Sequence, residues 1–255
     1  MRKKILIPLP SFGFDPTEVS VPWKILTRAG HHVIFATPEG HIGKADPFML
    51  TGKGLGIFAS FLMADRNGQN AYQELCTASS FVSPLNYHDL KAEDFDALLL
   101  PGGHAPGMKI YLESSILQRL VFQFSSALKP IAAICHGVVL AARSVSPQTN
   151  RSVLWGYKTT ALPRYMELGA WTLTRFYLGD YYRTYSKTVQ REVSESLRDK
   201  SDFVRGPLFS SRALLRDSPT QLEYGFVVTD RNYLSARWPG DAHLFGHSFL
   251  RLLEK

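Results

Sequence analysis

The 255-residue sequence is poor in cysteine: only Cys76 and Cys135 occur. Two thiols cannot make the disulfide framework on which small secreted folds depend, so a reducing, cytoplasmic setting is expected. Long apolar runs are missing as well. No stretch approaches the roughly 18 residues of a membrane span. The apolar segment behind the basic start MRKKILIPLPSFGFDP is broken by Pro8 and Pro10, so no signal-peptide core is expected. Glycine and proline, at 19 and 15 residues, are at ordinary levels, which removes collagenous and low-complexity architectures. The formal charge is +7, but the basic residues are not gathered in the sequence. Apart from Arg2, Lys3 and Lys4 they stand singly among acids, as in TVQREVSESLRDKSDF, the pattern of a solvated helix surface. No nucleic-acid footprint is expected, only weak attraction to anionic surfaces. The eight histidines are dispersed and the cysteines are far from C-x-x-C spacing, so neither a metal nor another cofactor is expected.

What is present is a globular composition, 45% apolar and 12% aromatic, in a chain long enough to bury a substantial core. The runs KKILIPLP (3–10) and HHVIFATP (31–38) suit strands covered on both faces. Between them the sequence predicts a helix: Asp15 can cap it, Pro16 fits its first position, Glu18 completes a capping-box spacing, and Gly30 ends it. FDALLLPGG (95–103) reads as a strand entering a glycine turn, YLESSILQRLVFQFSSAL (111–128) has helical period, and PIAAICHG (130–137) is another buried strand. YGFVVTDRNYLSAR (224–237) reads as a hairpin, followed by a helix from about Asp241. Strands alternating with helices predict an α/β fold with a mainly parallel sheet in a single domain over 1–255. Residues 39–90 and the mostly helical 157–223 are read as insertions around the carboxyl edge of that sheet. The aromatics of WTLTRFYLGDYYRTY are expected to fill the core between inserted helices rather than form an exposed patch.

Cys135 is the most informative residue. At a sharp strand-to-helix junction its sulfur meets backbone N–H groups and the positive end of a helix, which favour thiolate over thiol. The adjacent His136 can supply an imidazole. The competing reading is a structural, buried cysteine. Gly102 and Gly103 leave a strand end beside the Cys135 strand, where a backbone N–H could join the amide after Cys135 in holding an oxyanion, although such a pair also serves as an ordinary turn.

In four places the sequence resembles the DJ-1/PfpI (ThiJ) superfamily, and particularly its longer Hsp31-like branch: GFDPTEV at 13–19, LLPGGHAPGM at 99–108, AAICHGV at 132–138 and NYLSARWPGDA at 232–242. The resemblance implies a flavodoxin-like three-layer sandwich, usually a homodimer, with the nucleophile at the Cys-His elbow. By that resemblance Cys135 matches the nucleophile, His136 the histidine after it, Glu18 the acid that hydrogen-bonds the sulfur, and Gly103 the opposite oxyanion donor beside the His136 amide. In the Hsp31-like branch an acid about thirty residues further on orients the histidine, which points to Glu167. The distant His-x-Glu of the similar glutamine amidotransferase domains is missing, since Leu244 and Phe245 follow His243 while Ser248 and Phe249 follow His247. Trp238 and His243 are expected near the pocket, and His31 and His32 to have no chemical role.

A thiolate with an imidazole and an oxyanion hole adds to carbonyl carbon. The resemblance suggests a glutathione-independent glyoxalase, in which small dicarbonyls such as methylglyoxal become 2-hydroxy acids through a Cys135 hemithioacetal. A cysteine peptidase or amidase, an isocyanide hydratase and an Hsp31-like holding chaperone remain open on the same residues.

Overall fold

The structure, a computed structural model, describes residues 1–207 and 215–255 and, at Phe61, the backbone alone. Its strands are β1 (Lys4–Pro8), β2 (Phe12–Phe14), β3 (His32–Thr37), β4 (Lys44–Ala45) and β5 (Leu85–Asn86). These are followed by β6 (Ala97–Leu100), β7 (Ile131–Ile134), β8 (Val227–Asp230) and β9 (Tyr233–Ala236). Seven of them form a central sheet in the order β5-β3-β1-β6-β7-β9-β8. All neighbours are parallel except the β8–β9 hairpin. Parallel strands are covered on both faces, and the continuous runs Ile5–Ile7 and Leu98–Leu100 are accordingly wholly buried. The chain adds strands outward from β1 to β3 and β5, then returns to add β6, β7 and β9 on the other side. The crevice at that reversal, between the loops after β1 and β6, is where α/β sheets carry their sites.

The helices are α1 (Pro16–Arg28), α2 (Pro47–Thr51), α3 (Ala59–Leu62), α4 (Arg66–Leu75), α5 (Ser79–Val82) and α6 (Lys109–Leu112). After them come α7 (Ser115–Ser126), α8 (Gly137–Arg143), α9 (Arg164–Leu178), α10 (Val189–Ser196) and α11 (Ala242–Leu253). One layer packs α1 against α4 and α11; the other joins α6, α7 and α10 to α8. This is the three-layer, flavodoxin-like α/β sandwich the sequence predicts. The single helix expected over 111–128 is interrupted: α6 stops at Leu112 and the Ser114 hydroxyl accepts from Leu117 N, capping a new helix.

The segment 39–90 is only partly an insertion. β4 pairs with β2 in a separate two-stranded sheet, but β5 forms one edge of the central sheet. In 157–223 the described residues carry α9 and α10; residues 208–214 of that stretch lie outside the described residues. Tyr182 fills a small core with Met49 and Leu55, as expected of the aromatic stretch. Phe176 and Tyr177, in the last turn of α9, instead point outward at 86% and 56% exposure. After β9, the fully buried Arg237 and Asp241 pair through two side-chain contacts of 2.7 and 2.9 Å, and Asp241 also accepts the amides of Arg237 and Phe226. Among the described residues no helix is long and apolar enough to cross a membrane.

Candidate active site

The last residue before α8 that is not yet helical is His136, and the turn itself is made at Cys135, whose φ is +57°. A non-glycine residue in this left-handed region is strained and persists only where its surroundings enforce it. Here the Cys135 amide donates to Ala236 O at 3.1 Å, tying the elbow to β9. Gly137 allows the close approach on the other side: a Cβ there would lie 2.1 Å from Leu100 O. At Gly102 a Cβ would stand 2.6 Å from the His136 nitrogen and 2.8 Å from the Glu18 carboxyl. The elbow, the glycine loop after β6 and the first turn of α1 are therefore pressed together with no room for side chains between them.

Glu18 reaches this point from α1. Asp15 caps the helix by accepting from the Thr17 and Glu18 amides. The reciprocal half of a capping box is not made: the Asp15 amide donates to Gly102 O, and the Glu18 carboxyl, fully buried, accepts from Gly102 N at 2.8 Å. Glu18 Oε1 has no regular hydrogen-bond partner, and the carboxyl lies within interaction range of the Cys135 sulfur. The acid is thus turned into the site rather than back onto its helix.

Two imidazoles flank the sulfur. His136 Nδ1 is 3.6 Å from Cys135 Sγ and His104 Nε2 is 3.9 Å from it, with the two rings edge to face at 4.8 Å. His104 carries no role in the sequence analysis; its position directly behind Gly102-Gly103, at the end of a strand neighbouring the cysteine strand, is the signal that could have found it. Its backbone carbonyl accepts from Thr184 Oγ1 at 2.7 Å, while its Nδ1 is buried without a partner. The three donors His104, Cys135 and His136 lie within 4.8 Å of one another, a set of soft ligands suited to a zinc- or copper-like cation that the sequence spacing did not show. His243 and His247 also stand one helical turn apart, but no third donor joins them among the described residues.

Burial governs the electrostatics. It pushes the Cys135 thiol well up, and the neighbouring Glu18 and Asp15 carboxyls push it further, while the His136 amide pulls the other way. Glu18 is itself raised well above the usual carboxylate range by burial and by Asp15. Asp15 is raised to about 6, also by burial. Burial lowers His104 to about 4 and, together with His104 and Arg143, takes His136 well below its ordinary value. Burial thus works against the charged form of every one of these groups. At the sulfur, desolvation acts against the thiolate that the helix terminus and the His136 amide favour.

Glu167 is buried, but its contacts lie elsewhere. Oε1 meets Arg183 at 3.1 Å and Oε2 accepts from Val189 N at 2.8 Å, at the start of α10. No hydrogen bond joins it to His136 among the described residues. Burial raises its carboxyl to about 7. The amides of Gly103 and His136 donate to no backbone carbonyl among the described residues, and the His136 amide faces the sulfur.

Above the site is an apolar cavity of about 210 Å3, lined by Met49, Leu162, Met166, Tyr182 and Trp238, with His104 and Asp15 at its polar end. Trp238 thus lies where it was expected, and His243 does not line the cavity. Cys135 is fully buried and outside the lining, so the His104 ring separates a molecule in the cavity from the sulfur.

Residues 9–207 match the ThiJ/PfpI family-like profile. The chain belongs to this family. Within it, an uncharacterised Schizosaccharomyces pombe protein is 30% identical over 172 residues, 64% of this chain and 60% of that one. A glutathione-independent glyoxalase of the same yeast, hsp3102, is 26% identical over 155 residues, 58% of this chain and 59% of that one. The chain thus spans about three-fifths of the length of these curated relatives. Among solved structures, glyoxalase III from Candida albicans superposes with a TM-score of 0.68 at 17% identity, covering 98% of this chain and 97% of that one, which is a likeness of fold. Family membership and the buried cysteine elbow together are consistent with cysteine-dependent catalysis.

Proposed function

We propose that the chain is a glyoxalase III-like enzyme of the Hsp31-like branch, converting methylglyoxal and similar small 2-oxoaldehydes to 2-hydroxy acids without added cofactor. The observation that carries this reading is the grouping of Cys135, His136, His104 and Glu18 at a strained elbow beside a small, largely apolar cavity. The glyoxalase named among the relatives supports it. A peptidase would need a groove open to extended chains, and the cavity is too small for one.

In the proposed reaction the His104 ring turns aside and the aldehyde carbon comes to the sulfur. His136 takes the thiol proton as sulfur attacks, and the charge passes to the carbonyl oxygen, where the amides of Gly103 and His136 receive it. Protonation of that oxygen gives a hemithioacetal. His136 then removes the C1 proton, forming an enediol, and returns a proton to C2, leaving a thioester of the 2-hydroxy acid. Water cleaves the thioester and restores the thiol, so that methylglyoxal plus water gives lactate with no net oxidation. Glu18, protonated, would donate to the developing thiolate and be anchored by Gly102 N. Glu167 would act at a distance, by fixing Arg183 and the start of α10.

Proton NMR of methylglyoxal incubated with the protein in D2O, with no thiol added, tests the scheme. Lactate with deuterium at C2 is the expected product. Consumption of methylglyoxal without lactate would contradict the isomerisation and leave only an adduct-forming thiol.

A further inference from the structure

A second concavity opens on another face of α9. Tyr165, Met166, Gly169 and Ala170 face the apolar cavity, whereas Arg164 and Leu168 of the same helix line an open cleft of about 880 Å3. Among the described residues, folding gathers six cations there, Arg164, Arg183, Lys187, Arg191, Lys200 and Arg205, against the single carboxylate of Glu195. These residues are spread over three stretches of sequence, around 164, 183–191 and 200–205, which is why the chain looks evenly mixed in charge when read linearly.

Their partners are few. Arg183 is held by Glu167, while Lys187 and Arg191 share Glu195 at 2.7 and 2.9 Å. Arg164, Lys200 and Arg205 form no ion pair with any described residue. Two helices also begin at the cleft: Arg164 is the first residue of α9, and Thr188, which lines the cleft, precedes α10. The positive ends of both helices add to the field of the side chains. Several cations held in one concavity without matching acids repel one another, and a multiply charged anion relieves that repulsion while forming charge-assisted hydrogen bonds.

We propose that this cleft binds a small polyanion carrying at least two phosphate-type groups, at a site separate from Cys135. Its volume falls in the range of small-molecule pockets, roughly 300–1,000 Å3. A nucleic acid fits less well: among the described residues the only aromatic in the lining is Phe203, which is itself buried and offers no stacking platform.

Calorimetric titration of the full chain with inorganic diphosphate, and separately with inorganic monophosphate at the same ionic strength, reads the site directly. Diphosphate should saturate one site and bind more tightly than monophosphate. Lys200→Glu and Arg205→Glu should each weaken it by at least about tenfold, the loss of one charge-assisted contact, with thermal unfolding unchanged. Absence of saturable diphosphate binding, or binding undiminished in both variants, would overturn the proposal. So would a single-stranded oligonucleotide that displaces diphosphate and binds more tightly, which would make the cleft a nucleic-acid site.

Discussion

At the residue scale, the chemistry turns on how a buried thiol becomes a nucleophile. Burial raises Cys135 and lowers His136, so proton transfer between them is unfavourable until a carbonyl is present to take the charge. Alkylation by iodoacetamide should therefore show an apparent pKa above the free-thiol value of about 8.5. A rate already at its plateau at neutrality would mean a preformed thiolate. Glu18, raised well above the carboxylate range, should act as a hydrogen-bond donor. Glu18→Gln keeps both a donor and an acceptor for Gly102 N, and should retain turnover within about tenfold, whereas Glu18→Ala leaves that amide unpaired at a cost of about 1–3 kcal/mol and should lose more activity. Equal loss in both variants would show that a carboxylate is needed. His104→Ala opens the ring that separates cavity from sulfur, so alkylation should accelerate; if His104 instead assists ionisation, alkylation slows.

At the scale of elements, the elbow is fixed by backbone contacts. A methyl at Gly137 would collide with the Leu100 carbonyl, an atom that cannot turn aside, and Gly137→Ala should destabilise the fold by about 1–3 kcal/mol or more in urea titration. A midpoint equal to wild type would mean that α8 can shift freely against β6. Glu167→Gln weakens the Arg183 pair and the cap on Val189, so its thermal midpoint should fall while kcat holds. A fall in kcat with unchanged midpoint would instead return Glu167 to the role of orienting His136. Most elements were legible in the sequence because their cause is local. Buried parallel strands such as β1 and β6 announce themselves by apolar runs, α1 by Asp15 and Pro16, and the elbow by a cysteine between a strand and a glycine-led helix. What was hidden depends on distant residues. Nothing near Glu167 says that Arg183 will claim it, and nothing near Glu18 says that its carboxyl will bypass the capping box for Gly102. Sulfur burial is likewise a property of the assembled layers, and its opposition to the helix terminus is not visible from position in the sequence.

At the scale of the whole molecule, three layers place the cysteine elbow, at the end of β7, beside the reversal of strand order between β1 and β6, and α9 separates an apolar cavity from a basic cleft. Part of the positive excess, dispersed along the sequence, is brought together in the cleft only by folding. The homodimer implied by the family resemblance should appear in light scattering as about twice the 28.6 kDa chain mass; a chain-sized particle at assay concentration would remove it. The central claim concerns a single atom, the Cys135 sulfur, and the measurement that tests it most directly is the rate of lactate formation from methylglyoxal by the wild-type chain and by Cys135→Ser of matching circular dichroism. Activity in the wild type that disappears in the variant is the predicted result, and turnover that survives the substitution would contradict it.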